Sequence, residues 1–320
     1  MKAKEAKAIV LLSGGLDSRL ALMMTKQQLG AENVEALHFI LPFGEGCCSD
    51  RFCVLSFAEK QQVRLHLMDC TKGRLLKEYI RLLKNPLFGR GAALNPCIDC
   101  RIFIFRKAGV FAKKLKADFI VTGEVAGERP MSQKKRAMKL IESRSALAGK
   151  ILRPLSAKVM PETDAERNGL IDRNLLEGIE GRQRRRQIEL AKKFGITYPN
   201  PAGGCLLCEK EFCKKIIPFL KMKRAMNEFE VALLKIGRHF ENGVVVLGKN
   251  KEENSALETL AKSFRKGILI IPDQPGPTAL IRKKSYMKKA KELIRKYSKR
   301  PITSFHTTNL PAGNSGERPD

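Results

Sequence analysis

Near the start of the chain, the apolar run Ala8-Ile9-Val10-Leu11-Leu12 opens directly into Ser13-Gly14-Gly15-Leu16-Asp17-Ser18, and this junction limits what the chain can fold into. The run is short, β-branched at Ile9 and Val10, and closed by glycines, as expected of a strand buried on both faces that feeds a tight turn. Asp17 and Ser18 precede Leu20, Ala21, Leu22, Met23 and Met24, so a helix is predicted to begin inside the loop. Glycines, having no Cβ, let backbone N–H groups close on an anion, and the positive end of the helix favours the same ligand. The loop is therefore expected to hold phosphates. It lacks the Lys-Ser/Thr pair of the Walker loop and the three spaced glycines of the dinucleotide fingerprint. Strand patterns near 7–12, 34–41, 63–69 and 118–122 alternate with helical patterns near 17–29, 52–61, 72–84 and 100–116. This alternation predicts an α/β fold, a parallel sheet flanked by helices, with its ligand beyond the C-terminal strand ends. The glycine loop, Leu41 and Gly123 converge there.

Charge narrows the partner. The chain carries 61 Lys+Arg against 33 Asp+Glu, a formal net charge of +28, and a surplus of this size points to a polyanion. Arg182, Arg184, Arg185 and Arg186 repel one another unless an anion, or a spread over different faces, relieves them. They are expected to contact RNA phosphates, within a basic insert at about 130–195 that also holds Lys134, Lys135, Arg136 and Lys139. The start of the chain holds Lys2, Lys4, Glu5 and Lys7, and no 18-residue apolar span follows. The expectation is a cytoplasmic chain with no membrane partner.

Nine cysteines in such a compartment are not read as a disulfide framework. Two CxxC pairs, Cys97/Cys100 and Cys205/Cys208, stand far apart in sequence, whereas zinc ribbons keep their pairs roughly 15–20 residues apart. A shared site must be assembled by the fold. The first pair follows Asn95-Pro96 on a loop expected to run into a helix, and the second follows Gly203-Gly204. Cys47, Cys48 and Cys53 form a further loop group, read as an accessory metal site, a sulfur relay or loop cysteines of no role. Cys70, at the end of the third strand, reads as structural, and His38 and His66 read as packed strand residues.

The string from Ser13 to Ser18 resembles the SGGxDS loop of the PP-loop ATP pyrophosphatase superfamily, which has an adenine nucleotide alpha hydrolase-like fold. Its members split ATP between the α and β phosphates to adenylate a carbonyl oxygen. The resemblance implies that Ser13, Gly14, Gly15, Asp17 and Ser18 cradle pyrophosphate, with Asp17 on Mg2+. Asn95-Pro96-Cys97-Ile98-Asp99-Cys100 is similar to the Asn-Pro-x-x-x-Cys segment of bacterial tRNA 2-thiouridine synthases. Cys205 falls where those enzymes carry a second catalytic cysteine, and Gly123 matches their nucleotide-side glycine. Arg129-Pro130-Met131-Ser132-Gln133 and Leu152-Arg153-Pro154-Leu155-Ser156-Ala157-Lys158 resemble a less-described branch of PP-loop tRNA sulfurtransferases. That resemblance implies catalytic roles for Cys100, Cys205 and Asp17, and a [4Fe-4S] cluster on Cys97, Cys100 and Cys205. Cys208 is left with three readings: fourth ligand, persulfide carrier or bystander. The implied partners are tRNA and a sulfur donor, either a cysteine desulfurase or free sulfide, and a homodimer is left open.

After a sulfurtransferase domain at 1–215 and a basic connector at 216–235, the patterns at 236–300 predict a small, basic α+β domain. Leu247-Gly248-Lys249-Asn250 with Asn254, and Pro275-Gly276-Pro277-Thr278, look like the RNA-binding module of NFACT-type rescue factors. The polar stretch 301–320 is expected to be a disordered tail. Two other readings remain at this stage. One is an ATP-dependent amide- or amidine-forming enzyme with Zn2+ on the cysteines, and the other is a non-catalytic RNA-binding factor.

Overall fold

The computed structural model describes residues 6–44, 51–198 and 204–310, and the chain divides into two units, 1–209 and 210–320. Unit 1 runs β1 (Ala8–Leu11), α1 (Leu16–Leu29), β2 (Val34–Ile40), α2 (Arg51–Lys60), β3 (Arg64–Asp69), α3 (Gly73–Lys84), α4 (Cys97–Lys114) and β4 (Phe119–Thr122). It continues through α5 (Lys135–Arg144), β5 (Ile151–Leu152), α6 (Asp164–Arg167) and α7 (Arg185–Lys193). The strands form one sheet in the order β3-β2-β1-β4-β5, and every pairing in it is parallel. All four residues of β1 and of β4 are buried, as the unbroken apolar runs require of central strands covered on both faces. α1 buries Leu16, Leu20, Ala21, Leu22 and Met24 in the core, and each fully buried leucine contributes about 1.5–3 kcal/mol. α3 lays Leu76, Tyr79, Ile80 and Leu83 inward, an i, i+3, i+4, i+7 stripe.

The strand order sets the ligand site. The chain leaves β1 to build β2 and β3 on one side and β4 and β5 on the other, so a crevice opens beyond the C-terminal end of β1. Residues 130–195, expected as a basic insert, are woven into this unit. β5 extends the sheet, and Leu152, Leu155, Ala165, Ile171, Leu176, Leu190 and Ala191 join the same core as β1 and α1. Their lysines and arginines mask this apolar periodicity in the sequence. His38 is buried with Nδ1 2.8 Å from the Leu12 carbonyl, and His66 pairs with Glu35. Both are packed strand residues, as read from the sequence.

Unit 2 comprises α8 (Lys210–Leu220), α9 (Glu228–Leu234), β6 (Arg238–Phe240), β7 (Val245–Leu247), α10 (Lys251–Phe264), β8 (Gly267–Pro272), β9 (Ala279–Ile281), α11 (Met287–Tyr297) and β10 (Phe305–Leu310). Its antiparallel sheet has the order β10-β8-β9-β7-β6. Alternation along the strands builds two cores. Val245, Leu247, Ile268, Ile270 and Ile281 face Ala290, Leu293 and Ile294 of α11. Val246, Leu269 and Leu280 face Phe229 and Leu233 of α9 and Leu257 and Ala261 of α10. The expected disordered tail is corrected over 305–310. This stretch pairs with β8 from Phe305 opposite Pro272 to Leu310 opposite Gly267, and Arg295 lies 5.0 Å over the Phe305 ring. The backbone edge of β8 supplies what the polar side chains lack. The pieces that resembled an RNA-binding module meet at a turn. Asn254 Oδ1 accepts from the Thr278 N–H (3.0 Å), Asn254 Nδ2 donates to the Gly276 carbonyl (3.0 Å), and Asn250 caps α10.

His239 makes unit 2 sensitive to acid. Its Nε2 donates to the carbonyls of Leu233 (3.2 Å) and Ile236 (3.0 Å) at the end of α9, while Nδ1 is buried without a partner among the described residues. Burial, reinforced by the Lys215 and Arg282 cations, pushes the imidazole down to about 4. The unfolded chain, with His239 near 6.5, binds this proton more readily, so the contribution is intact above pH 6.5 and is lost as pH falls toward 4. The expected loss is about 2–3 kcal/mol. Melting of the full chain from pH 7 to 4 should show this slope, and His239→Gln, which keeps a donor but does not titrate, should flatten it. An unchanged slope in the variant would contradict the assignment.

Candidate nucleotide and thiol site

The ends of three neighbouring strands build the first half of the site. β1 runs into Ser13–Ser18, β2 ends at Ile40 just before Leu41, and β4 ends just before Gly123. The loop is tied by its own residues. The Ser18 hydroxyl donates to the Gly15 carbonyl (2.9 Å) and accepts from the Gly14 N–H (3.1 Å) and the Ser13 hydroxyl (3.1 Å). Arg19 Nε donates to the Gly14 carbonyl (2.7 Å), and its Nη1 donates to the Thr197 carbonyl (2.7 Å). Gly14 takes φ +90°, a backbone state that side-chain-bearing residues rarely adopt. Gly123 is needed for a different reason. A Cβ there would stand 2.4 Å from the Asp17 carbonyl carbon and 2.5 Å from the Ser18 nitrogen. The loop and the end of β4 touch backbone to backbone.

Asp17 sits in the first turn of α1. Its Oδ2 lies 3.6 Å from Arg184, and its buried Oδ1 has no hydrogen-bond partner among the described residues. Burial, with the Glu128 carboxylate nearby, pushes Asp17 up to about 6 against the pull of Arg184 and Arg129. A buried carboxylate oxygen without a donor fits a hard cation such as Mg2+, which takes oxygen ligands.

The thiols form the second half. Cys97 is the first residue of α4 and Cys100 lies in its first turn, so the helix starts at the pair itself and not after it, as the sequence suggested. α4 runs back toward the start of β4, and its N-terminus therefore stands at the C-terminal edge of the sheet. Cys205 reaches that edge by pairing with Gly44, just beyond β2. The Leu206 N–H donates to the Phe43 carbonyl (3.0 Å), and the Leu94 N–H donates to the Leu207 carbonyl (3.1 Å). Two loops thus clamp the Cys205 segment beside α4. Cys205 lies within electrostatic reach of Cys100, Cys208 and Cys97, and burial pushes its thiol up to about 12. Burial likewise raises Cys100 to about 11. Cys208 is exposed, whereas Cys97, Cys100 and Cys205 are half-buried. Among the described residues, no three Cys, His, Asp or Glu side chains stand close enough to share one metal ion. Cys47 and Cys48 lie outside the described residues, as does the Cys53 side chain.

Sequence reasoning missed two residues that touch these thiols. The Tyr79 hydroxyl is 3.7 Å from Cys100 Sγ, and Asn95 Nδ2 donates to Cys97 Sγ at 3.2 Å. Tyr79 fits the apolar stripe of α3 and carries no separate signal. Asn95 stands beside the pair, and only its side-chain direction was hidden. The arginine cluster disperses. Arg186 pairs with Glu177 and Glu189, Arg184 pairs with Glu128 and Asp17, and Arg182 and Arg185 are exposed. Internal carboxylates relieve the repulsion that was expected to call for an RNA phosphate.

Residues 3–159 match the family model described as Thiamine biosynthesis protein (ThiI). The matched segment is just under half of the chain. It holds the PP-loop, Gly123 and the first CxxC. The chain is also similar to the solved structure of a 4-thiouridine synthetase–RNA complex with bound ATP. The two are 23% identical over 59% of this chain and 41% of that one, with a TM-score of 0.39. A second similar structure is the U34-tRNA thiolase NcsA from Methanococcus maripaludis with its [4Fe-4S] cluster, 18% identical over 67% of this chain and 66% of that one, with a TM-score of 0.36. The chain spans less than two thirds of the length of either structure. No curated protein matches the chain. Among the described residues, no helix is long and apolar enough to cross a membrane.

Proposed function

We propose that the protein is an ATP-dependent tRNA sulfurtransferase, which adenylates a base carbonyl and replaces its oxygen with sulfur. One observation carries this reading: a glycine loop of phosphate-binding type and three thiols stand at the C-terminal edge of one sheet, in a segment that matches the ThiI family model. The Ser13–Ser18 backbone and the N-terminus of α1 hold the β and γ phosphates, and Asp17 Oδ1 takes Mg2+. The base oxygen attacks the α-phosphorus and pyrophosphate leaves. Sulfide sulfur then adds to the activated carbon, AMP departs and a thiocarbonyl remains. The basic composition supplies the attraction for tRNA, with unit 2 as a docking module and Arg182 and Arg185 as exposed phosphate contacts.

The donor set fits a [4Fe-4S] cluster on Cys97, Cys100 and Cys205. A closed zinc site needs four ligands, and the fourth thiol, Cys208, is exposed where the other three are half-buried. A cluster held by three cysteines needs no fourth thiol. When bound, it supplies a metal position for sulfide and removes the thiol protons, which the protein alone holds tightly. Asn95 directs its N–H at the Cys97 sulfur, and the Tyr79 hydroxyl lies against Cys100. The site belongs to a cytoplasmic enzyme on this reading, with its sulfur delivered by a desulfurase or as free sulfide. Protein purified without oxygen should be brown, contain about four iron atoms per chain, and release AMP and pyrophosphate in step with thiolated tRNA. Colourless protein with one zinc per chain and no thiolated nucleoside would favour the amide-forming alternative.

A further inference from the structure

Arg184 stands at the nucleotide loop, although its cluster reads in sequence as an RNA contact. Its Nη2 lies 3.1 Å from Glu128 Oε1 and 3.6 Å from Asp17 Oδ2, and its Nε is 3.3 Å from the same Glu128 oxygen. It is the residue immediately before α7, a nine-residue helix packed against α1. One turn along the same side of α7 is Gln187, which is 0% exposed. Neither its Nε2 nor its Oε1 has a hydrogen-bond partner among the described residues. Asp17 Oδ1 is likewise unpartnered.

Two unpartnered buried groups, Asp17 Oδ1 in α1 and the Gln187 amide in α7, therefore flank Arg184 along a packed helix pair. Buried amides are nearly always hydrogen-bonded, so an unpartnered one marks the place of a missing ligand or water. A guanidinium shared by two carboxylates is held without being fully used, because its fork matches a phosphate at least as well. Mg2+ held on Asp17 would take one of Arg184's two anionic partners and leave its fork open to a phosphate.

We propose that Arg184 and Gln187 form a second wall of the nucleotide site, binding the pyrophosphate end of ATP, with Glu128 holding Arg184 in place until the nucleotide enters. The proposal rests on the reading of Ser13–Ser18 as an ATP site. It makes α7 the element that closes on the phosphates, and it removes Arg184 from the RNA surface.

The test is equilibrium binding of the α,β-methylene analogue of ATP, and of inorganic pyrophosphate, both with Mg2+, to the full chain by titration calorimetry. Bulk tRNA binding is measured in parallel. Arg184→Gln should weaken both phosphate ligands at least tenfold and change tRNA affinity less than twofold. Arg184→Lys should recover only part of the loss, since an ammonium cannot make a two-point contact. Gln187→Leu, which keeps volume without polar atoms, should weaken pyrophosphate three- to tenfold. Glu128→Gln should tighten Mg2+-free pyrophosphate by freeing the guanidinium. A purely structural ion pair predicts the opposite pattern: a lower melting temperature in Arg184→Gln with nucleotide affinity kept, which would overturn the inference. So would a tRNA loss as large as the nucleotide loss. If the unaltered protein binds neither the analogue nor ATP, the ATP-site reading itself falls and this inference falls with it. If the unaltered protein binds and Arg184→Gln binds equally well, only the inference is lost.

Discussion

Gly123→Ala is expected to weaken Mg2+–ATP binding at least a hundredfold. The added carbon would lie 2.4 Å from the Asp17 carbonyl carbon and 2.5 Å from both the Asp17 oxygen and the Ser18 nitrogen. Non-bonded carbons sit best at about 3.5–4.0 Å, and the obstructing atoms are backbone, which cannot rotate away. The loop must retreat from β4 by roughly an ångström, carrying Asp17 and the phosphate-facing N–H groups with it. A stability loss of about 1–3 kcal/mol should accompany this, as for other overpacked sites. Gly15→Ala is the useful contrast. Gly15 has φ −72°, and its nearest neighbour, Ser13 Oγ, is at an ordinary 3.7 Å, so this variant should fold and melt like the parent. Calorimetric titration with ATP, paired with thermal melting, checks both variants. Undiminished ATP affinity in Gly123→Ala would show that the close approach is unrelated to the nucleotide.

Cys100→Ala and Cys205→Ala should each abolish tRNA thiolation, a loss of a thousandfold or more. Each removes one of the three half-buried sulfurs on which the proposed transfer depends. The iron content of anaerobically purified protein should fall in both, while AMP formation from ATP, which depends on the Ser13–Ser18 half, should survive in part. Thiolated nucleoside released from digested tRNA is the direct readout. Full activity in either variant would remove the thiols from the mechanism. Cys208→Ala sorts the three readings of that residue. Lost iron marks a ligand, retained iron with lost sulfur transfer marks a persulfide carrier, and parental behaviour marks a bystander.

Much of this was legible from the sequence because it is local. The apolar run 8–12, the glycine pair and the acidic helix start announce β1, the loop and α1, whose observed bounds lie within a residue or so of the expectation. β2, β3, β4 and α3 are read equally well from uninterrupted or striped apolar patterns. The misses fall where no local pattern shows the element. β5 is two residues long and β6 is three, too short to carry a period. β10 is polar and owes its existence to the open edge of β8. The segment 130–195 hides its core leucines and isoleucines among charges, and only packing shows that they belong with β1.

The candidate site divides along the same line. By itself, the sequence determined that a glycine loop joins the first strand to a helix, that two CxxC pairs exist, and that the chain is strongly basic. Each of these is a property of neighbouring residues or of a sum over residues. Only the tertiary structure decided that Cys205 is clamped beside Cys97 and Cys100, that Arg184 leans on Asp17 and Glu128, and that Gly123 must lack a side chain. Those are meetings of residues distant along the chain. Whether they meet depends on the strand order β3-β2-β1-β4-β5 and on which loops hydrogen-bond across its C-terminal edge. Side-chain identity offers the chemistry, but approach distances are set by backbones that sequence periodicity does not place relative to one another.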